Sequence, residues 1–75
     1  METERLIKIY KYGEDLANFL HSEKYEVDWK GTPTPQLRAI VNNYLKKENF
    51  TKEEKDHIRT RVWSVMKRLQ ERLYR

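Results

Sequence analysis

The chain has 75 residues and a net charge of +4, which allows one small domain with a thin core. It contains no cysteine, which excludes disulfide bonds and thiolate metal sites, and no apolar run of about 18 residues that could span a membrane. Nine aromatic residues argue against disorder. No secretory leader is visible, so we expect a single globular domain, residues 1–75, in the cytoplasm.

The positive charge is concentrated near the C-terminus. Residues 1–56 hold ten Lys or Arg and eleven Asp or Glu, whereas residues 57–75 hold six Lys or Arg and a single acid, Glu71. This asymmetry predicts an anionic partner for the last quarter of the chain. The alternative is a solvated helix end, where cations complement the helix dipole.

The first predicted helix covers about 3–22. Its apolar residues recur at three- and four-residue steps, which is typical of a helix with one buried face: Leu6, Ile9, Tyr10, Gly13, Leu16, Ala17 and Leu20. Tyr12 and Phe19 widen this stripe. Glycine lowers helix stability by about 1 kcal/mol relative to alanine, so Gly13 predicts close approach of another helix. The alternative for 6–12, which is rich in β-forming residues, is a strand.

Residues 23–34 are predicted to form an ordered connector. Tyr25, Val27 and Trp29 alternate along it, and they are followed by glycine and proline at Gly31, Pro33 and Pro35. Alternation indicates an extended stretch with one face buried, but no second strand is evident to pair with it. We therefore expect a loop whose aromatic side chains close one end of the core.

Two further helices are predicted at about 35–48 and 52–74. Thr34 is placed to cap the first of these, whose buried stripe is Leu37, Ile40, Val41, Tyr44 and Leu45. Thr51 and Glu54 form a T-x-x-E capping box before the second, whose stripe is Ile58, Val62, Val65, Met66, Leu69 and Leu73. The short turn between them predicts antiparallel neighbours or a helix-turn-helix corner. The chain as a whole is predicted to be an all-α domain of three helices.

A stripe of arginines follows one side of the third predicted helix. On an ideal helix its members fall within about 60° of one another: Arg61, Arg68, Arg72 and Arg75. Like charges at this spacing repel, and guanidinium groups form bidentate hydrogen bonds to carboxylates and phosphates, so the stripe predicts an anionic macromolecular partner. We expect a protein, with the phosphate backbone of a nucleic acid as the alternative. The competing interpretation is pairing within the chain to acids of the first helix, such as Glu2, Glu4 or Glu14.

Trp63 lies on the other side of this helix, with Lys67 and Tyr74. It belongs either to the core of a three-helix bundle or to the centre of an interface, where Trp, Tyr and Arg are enriched. The predicted partner-binding residues are Arg61, Trp63, Lys67, Arg68, Arg72, Tyr74 and Arg75. Gly13 and Trp63 are also the predicted contacts for self-association, which would stabilise so small a core.

The sequence shows no arrangement of catalytic or metal-binding residues. His21 and His57 lie on different helices, no metal-binding histidine spacing occurs, and no glycine-rich phosphate loop is present. A DNA-reading helix-turn-helix is disfavoured because its second helix would begin with three carboxylates: Glu53, Glu54 and Asp56.

We predict a non-enzymatic protein, without cofactor, metal or membrane contact, that regulates or inhibits a larger complex. In size and charge it is similar in general character to small accessory proteins of phages, plasmids and stress regulons.

Overall fold

The computed structural model describes residues 2–73, except for the side chain of Leu73. This part of the chain forms three α-helices, α1 (Thr3–Ser22), α2 (Pro35–Lys46) and α3 (Lys52–Leu73), and contains no β-strand. The all-α prediction is confirmed. None of these three helices has the length and apolar character needed to cross a membrane. The predicted end of the third helix at Tyr74 lies outside the described residues.

α1 is helical throughout, so the strand alternative for 6–12 is wrong. Its apolar face is buried together with residues from the rest of the chain, and the described core consists of Ile9, Leu16, Ala17, Leu20, Val27, Leu37, Val41, Leu45, Phe50, Ile58, Val62, Val65 and Met66. Tyr10 and Phe19 depart from the predicted buried stripe, with 46% and 45% of their surfaces exposed. Both lie at the edges of that stripe, where the neighbouring helices cover only part of each ring.

α1 and α3 pack side by side and run in the same direction. Arg5 pairs with Glu54 near the start of both helices, and Glu14 pairs with Arg61 further along each. Gly13 permits this packing, because a Cβ atom at that position would lie 2.9 Å from Arg61 Cγ and 3.0 Å from Arg61 Cβ. The predicted close approach of another helix at Gly13 is confirmed. Parallel neighbours need a long return connection, which α2 and its flanking loops provide.

The connector between α1 and α2 is an ordered loop bound to α3. The Gln70 side chain accepts a hydrogen bond from the Val27 N–H at 2.7 Å and donates one to the Val27 carbonyl at 2.8 Å. Val27 is buried, and Tyr25 packs half-buried against the core. Trp29, in contrast, is 80% exposed, so the prediction that all three alternating residues close the core is wrong for this one.

A tight turn explains the exposure of Trp29. Asp28 Oδ1 accepts hydrogen bonds from the N–H groups of Lys30 and Thr32 at 2.9 and 2.8 Å. Gly31 completes the turn with a φ of 86°, a conformation that residues with a Cβ atom rarely adopt. Trp29 and Lys30 occupy the bend of this turn, and the side chains of both are exposed.

α2 begins where predicted and ends two residues earlier, at Lys46. Thr34 Oγ1 accepts a hydrogen bond from the Leu37 N–H at 3.1 Å, which confirms the predicted cap. The N–H groups of Lys47 and Glu48 donate to carbonyls three residues back, at 3.2 and 3.3 Å, and this tightened last turn terminates the α-helix.

The N-terminus of α3 is held by the predicted capping box. The Thr51 N–H donates to Glu54 Oε1 at 2.8 Å, and the Glu54 N–H donates to Thr51 Oγ1 at 3.1 Å. Arg5 of α1 donates to both oxygens of the same carboxylate. The hydrogen bonds from Arg5, followed by those from Thr51, hold the pKa of Glu54 at about 2, below its usual 4.5. This buried carboxylate therefore ties α1 to the first turn of α3.

Candidate functional site

The arginine stripe borders a narrow cleft between α1 and α3, which we call the arginine cleft. It has a volume of about 160 Å³ and is lined by Glu14, Asn18, Arg61, Val65, Arg68, Leu69 and Arg72. The structure thus brings together three of the four arginines of the predicted stripe. Arg75, the fourth, lies outside the described residues, as does the predicted site residue Tyr74.

Arg61 is held within the molecule. Its guanidinium donates a hydrogen bond to Glu14 Oε2 at 3.3 Å, and its Cζ atom lies 5.9 Å from the centre of the Tyr10 ring. Its Nε atom is buried and has no hydrogen-bond acceptor among the described residues. Pairing within the chain therefore accounts for Arg61. Of the acids expected to pair with the stripe, Glu14 does so, whereas Glu2 and Glu4 form no ion pair within residues 2–73.

Arg68 and Arg72 differ from Arg61 because they have no acidic partner among the described residues. Both side chains are exposed, and neither forms an ion pair with a described residue. They lie four residues apart, about 6 Å along the helix axis, so both can reach one ligand. Their positive charges repel each other in the free protein, and an anion bound between them would relieve that repulsion.

Exposed apolar side chains precede the arginine cleft along α1, and the nearer of them, Tyr10, lies against Arg61. Ile7 is 60% exposed and Tyr10 is 46% exposed. Ile7, Tyr10 and Glu14 follow one another at three and four residues, so they share one strip of α1. Val65 and Leu69 add apolar surface to the lining of the cleft itself. Ile7 is not among the predicted site residues, although its spacing from Tyr10 and Glu14 is a signal that the sequence contains.

The aromatic side of α3 is separate from the arginine cleft. Trp63 is half-buried and packs against the core, in agreement with its interpretation as a core residue. Lys67 Nζ lies 4.0 Å from Glu71 Oε1. A Cβ atom at Gly31 would lie 3.4 Å from Lys67 Cδ, so the connector approaches this side of the helix. The predicted binding residues are therefore divided between two sides of α3.

Gly13 is buried inside one molecule. The space beside it is occupied by Arg61 and by the Ile58 carbonyl of the same chain. This contact within the chain explains why a glycine is needed at that position. The expectation that Gly13 and Trp63 mediate self-association stays a prediction, and Gly13 contributes no exposed surface to it.

The chemistry available in the arginine cleft is noncovalent anion binding. Among the described residues, no group of three or more His, Asp or Glu could hold a metal ion. The pKa of Arg5 is raised by its hydrogen bond to Glu54, and burial raises the pKa of Tyr12. These shifted groups lie in the packing between helices, and none of them lines the arginine cleft. The exposed guanidinium groups of Arg68 and Arg72 are the hydrogen-bond donors of the cleft that are available to bind an anion.

A second basic surface lies between α2 and α3, and we call it the basic cleft. It has a volume of about 340 Å³ and is lined by Arg38, Asn42, Leu45, Lys46, Lys55 and Arg59. On an ideal helix, Lys55 and Arg59 lie across the buried stripe of α3 from the arginines of the first cleft. The basic cleft was not predicted from the sequence. Its cations are spread over two helices, in a part of the chain where Lys and Arg do not outnumber Asp and Glu. Arg38, Asn42 and Lys46 at four-residue steps are the signal that could have revealed it.

No family model, no curated protein and no solved structure matches this chain.

Proposed function

We propose that this chain is a non-enzymatic binding domain that regulates or inhibits a larger complex by docking its arginine cleft on an acidic segment of a partner protein. The observation that carries the proposal is the pair Arg68 and Arg72, which are exposed and have no acidic partner within residues 2–73. A carboxylate of the partner would accept bidentate hydrogen bonds from each guanidinium and supply the missing negative charge.

The apolar surroundings of the arginine cleft favour a protein over a nucleic acid. Val65 and Leu69 line the cleft, and the half-exposed Tyr10 ring lies against Arg61 at its edge. An amphipathic acidic helix would cover this apolar surface with its own apolar face while it places carboxylates on the arginines. A phosphate backbone offers no apolar surface for that purpose.

The lowered pKa of Glu54 has a structural cause and not a catalytic one. An acid–base catalyst needs a pKa near the working pH, usually in a cleft that a substrate can enter. The pKa of Glu54 moves in the opposite direction, to about 2, and its cause is the ion pair with Arg5 that joins two helices. This shift therefore stabilises the contact between α1 and α3.

A designed acidic peptide tests the proposal. The probe is a fluorescently labelled amphipathic peptide with Glu and Leu at helical spacing, and its binding is measured by fluorescence anisotropy. The double substitution Arg68→Ala and Arg72→Ala should weaken binding by at least about tenfold. Each hydrogen bond to a charged group contributes about 1.5 kcal/mol or more, and about 1.4 kcal/mol corresponds to a factor of ten in Kd.

Two controls separate a specific surface from net charge. The double substitution Arg38→Ala and Lys46→Ala removes the same charge elsewhere and should leave peptide binding unchanged. Tyr10→Ala should weaken binding of the Glu–Leu peptide more than binding of a polyglutamate peptide, because only the first has leucines that can cover the exposed Tyr10 ring. Equal weakening by both double substitutions, or no binding of the Glu–Leu peptide at low salt, would contradict the proposal.

A further inference from the structure

We infer that the basic cleft between α2 and α3 is a second binding site, which takes the phosphate backbone of a nucleic acid duplex. Four of the six residues that line the cleft are cations, and none is a carboxylate. This site shares no residue with the arginine cleft and does not depend on the function proposed for it.

The cations of the basic cleft are arranged in two rows. Arg38 and Lys46 stand two turns apart on α2, about 12 Å along the axis, and Lys55 and Arg59 stand one turn apart on α3. Among the described residues Arg38, Lys46 and Lys55 form no ion pair. Three uncompensated positive charges therefore face one cleft, and a row of phosphates is the ligand whose charge repeats along such a groove.

Arg59 is held in place at the side of the cleft. Its guanidinium donates hydrogen bonds to Asn42 Oδ1, at 3.1 Å, and to Asp56 Oδ1. The first of these bonds crosses from α3 to α2 and fixes the distance between the two rows. A cleft whose width is set in the free protein loses less conformational freedom when a ligand binds.

The carboxylates at the start of α3 are largely neutralised within the fold. Glu54 is buried against an arginine of α1, and Asp56 pairs with Arg59. Glu53 is exposed, lies 3.9 Å from the ring of His57, and does not line the cleft. The three carboxylates that disfavour a DNA-reading helix-turn-helix therefore do not line this surface.

The composition of the basic cleft favours phosphates over a protein segment. Leu45 is the apolar residue of its described lining and is only 1% exposed, so the apolar face of a partner helix would find nothing to cover. Phosphate contacts need only cations and hydrogen-bond donors.

The test is fluorescence anisotropy with a labelled DNA duplex of about two helical turns. Three to four phosphate contacts should give a slope of about −3 for log K against log salt, so affinity should fall roughly 60-fold between about 50 and 200 mM salt. The double substitution Arg38→Ala and Lys46→Ala should make that slope shallower by about 2, leaving a roughly fourfold fall. Both side chains are exposed, so circular dichroism should show the same melting curve as the parent protein.

The matched control is Arg68→Ala with Arg72→Ala, which lowers the net charge by the same amount. It should keep the full salt slope, and a duplex of shuffled sequence should bind as tightly as the first, because phosphates carry no sequence information. No duplex binding at low salt would overturn the inference, as would equal losses with the two double substitutions. A loss of Glu–Leu peptide binding rather than duplex binding on Arg38→Ala and Lys46→Ala would show a protein-docking surface instead.

Discussion

Replacement of Gly13 by alanine tests the contact between α1 and α3. The new Cβ atom would lie 2.9 Å from Arg61 Cγ, 3.0 Å from Arg61 Cβ and 3.3 Å from the Ile58 carbonyl oxygen. Two of these three atoms belong to the backbone or are bonded directly to it. Rotation of the arginine side chain relieves only the Cγ contact, so the two helices must move apart by a few tenths of an ångström.

Two opposing terms decide the sign of the change in stability at Gly13. Alanine raises helix propensity by about 1 kcal/mol relative to glycine. Overpacking in a closely packed contact costs about 1–3 kcal/mol. We expect the second term to prevail because two of the three contacting atoms, Arg61 Cβ and the Ile58 carbonyl oxygen, cannot rotate away, with a net loss of about 1 kcal/mol. For a domain of this size that corresponds to a fall in Tm of about 4–8 °C.

Thermal and urea unfolding, followed by circular dichroism, measure this effect. The matched control is the exposed position Lys8 on the same helix, where the difference between Lys8→Gly and Lys8→Ala gives the propensity term by itself. In an Arg61→Ala background the substitution at Gly13 should be less harmful, because the Cγ contact is gone. If Gly13→Ala stabilises the protein as much as glycine-to-alanine exchange does at position 8, the close packing of α1 on α3 is refuted.

Two further predictions concern the ends of α3. Glu54 has a pKa of about 2 in the folded protein and 4.5 when unperturbed, so its contribution to stability is present above pH 4.5 and is lost as the pH falls towards 2. Glu54→Gln should therefore lower Tm at neutral pH and flatten its fall in acid, and an unchanged acid dependence would show that the pair with Arg5 does not form. Gln70→Ala removes both hydrogen bonds to Val27 and should speed hydrogen exchange of that amide by about 30-fold, since the two bonds contribute about 1 kcal/mol each. Gln70→Glu keeps an acceptor for the Val27 N–H and should exchange more slowly than the alanine variant, so equal exchange in the two variants would contradict the hydrogen-bonded geometry.

The helices and most of their ends could be predicted from the sequence. The T-x-x-E box places the start of α3, Thr34 caps α2, and the three- and four-residue spacing of apolar side chains identifies the buried faces. These signals work because they arise between residues no more than four positions apart, whose relative geometry is set once the backbone is helical. The close contact at Gly13 was also predictable from the sequence, because glycine lowers helix stability and its presence inside a helix therefore indicates a compensating contact.

The tertiary structure decided which charged side chains are paired within the chain and which are left to form the two clefts. The four arginines of the predicted stripe look equivalent in sequence, but the parallel packing of α1 brings Glu14 to Arg61 and leaves Arg68 and Arg72 without a described partner. The same packing buries Glu54 against α1, so the acidic start of α3 loses much of its charge. The basic cleft exists because α2 places Arg38 and Lys46 across from two cations of α3. Which charges are neutralised depends on residues tens of positions apart in the chain, and the electrostatic interaction between them becomes strong only when packing brings them within a few ångströms.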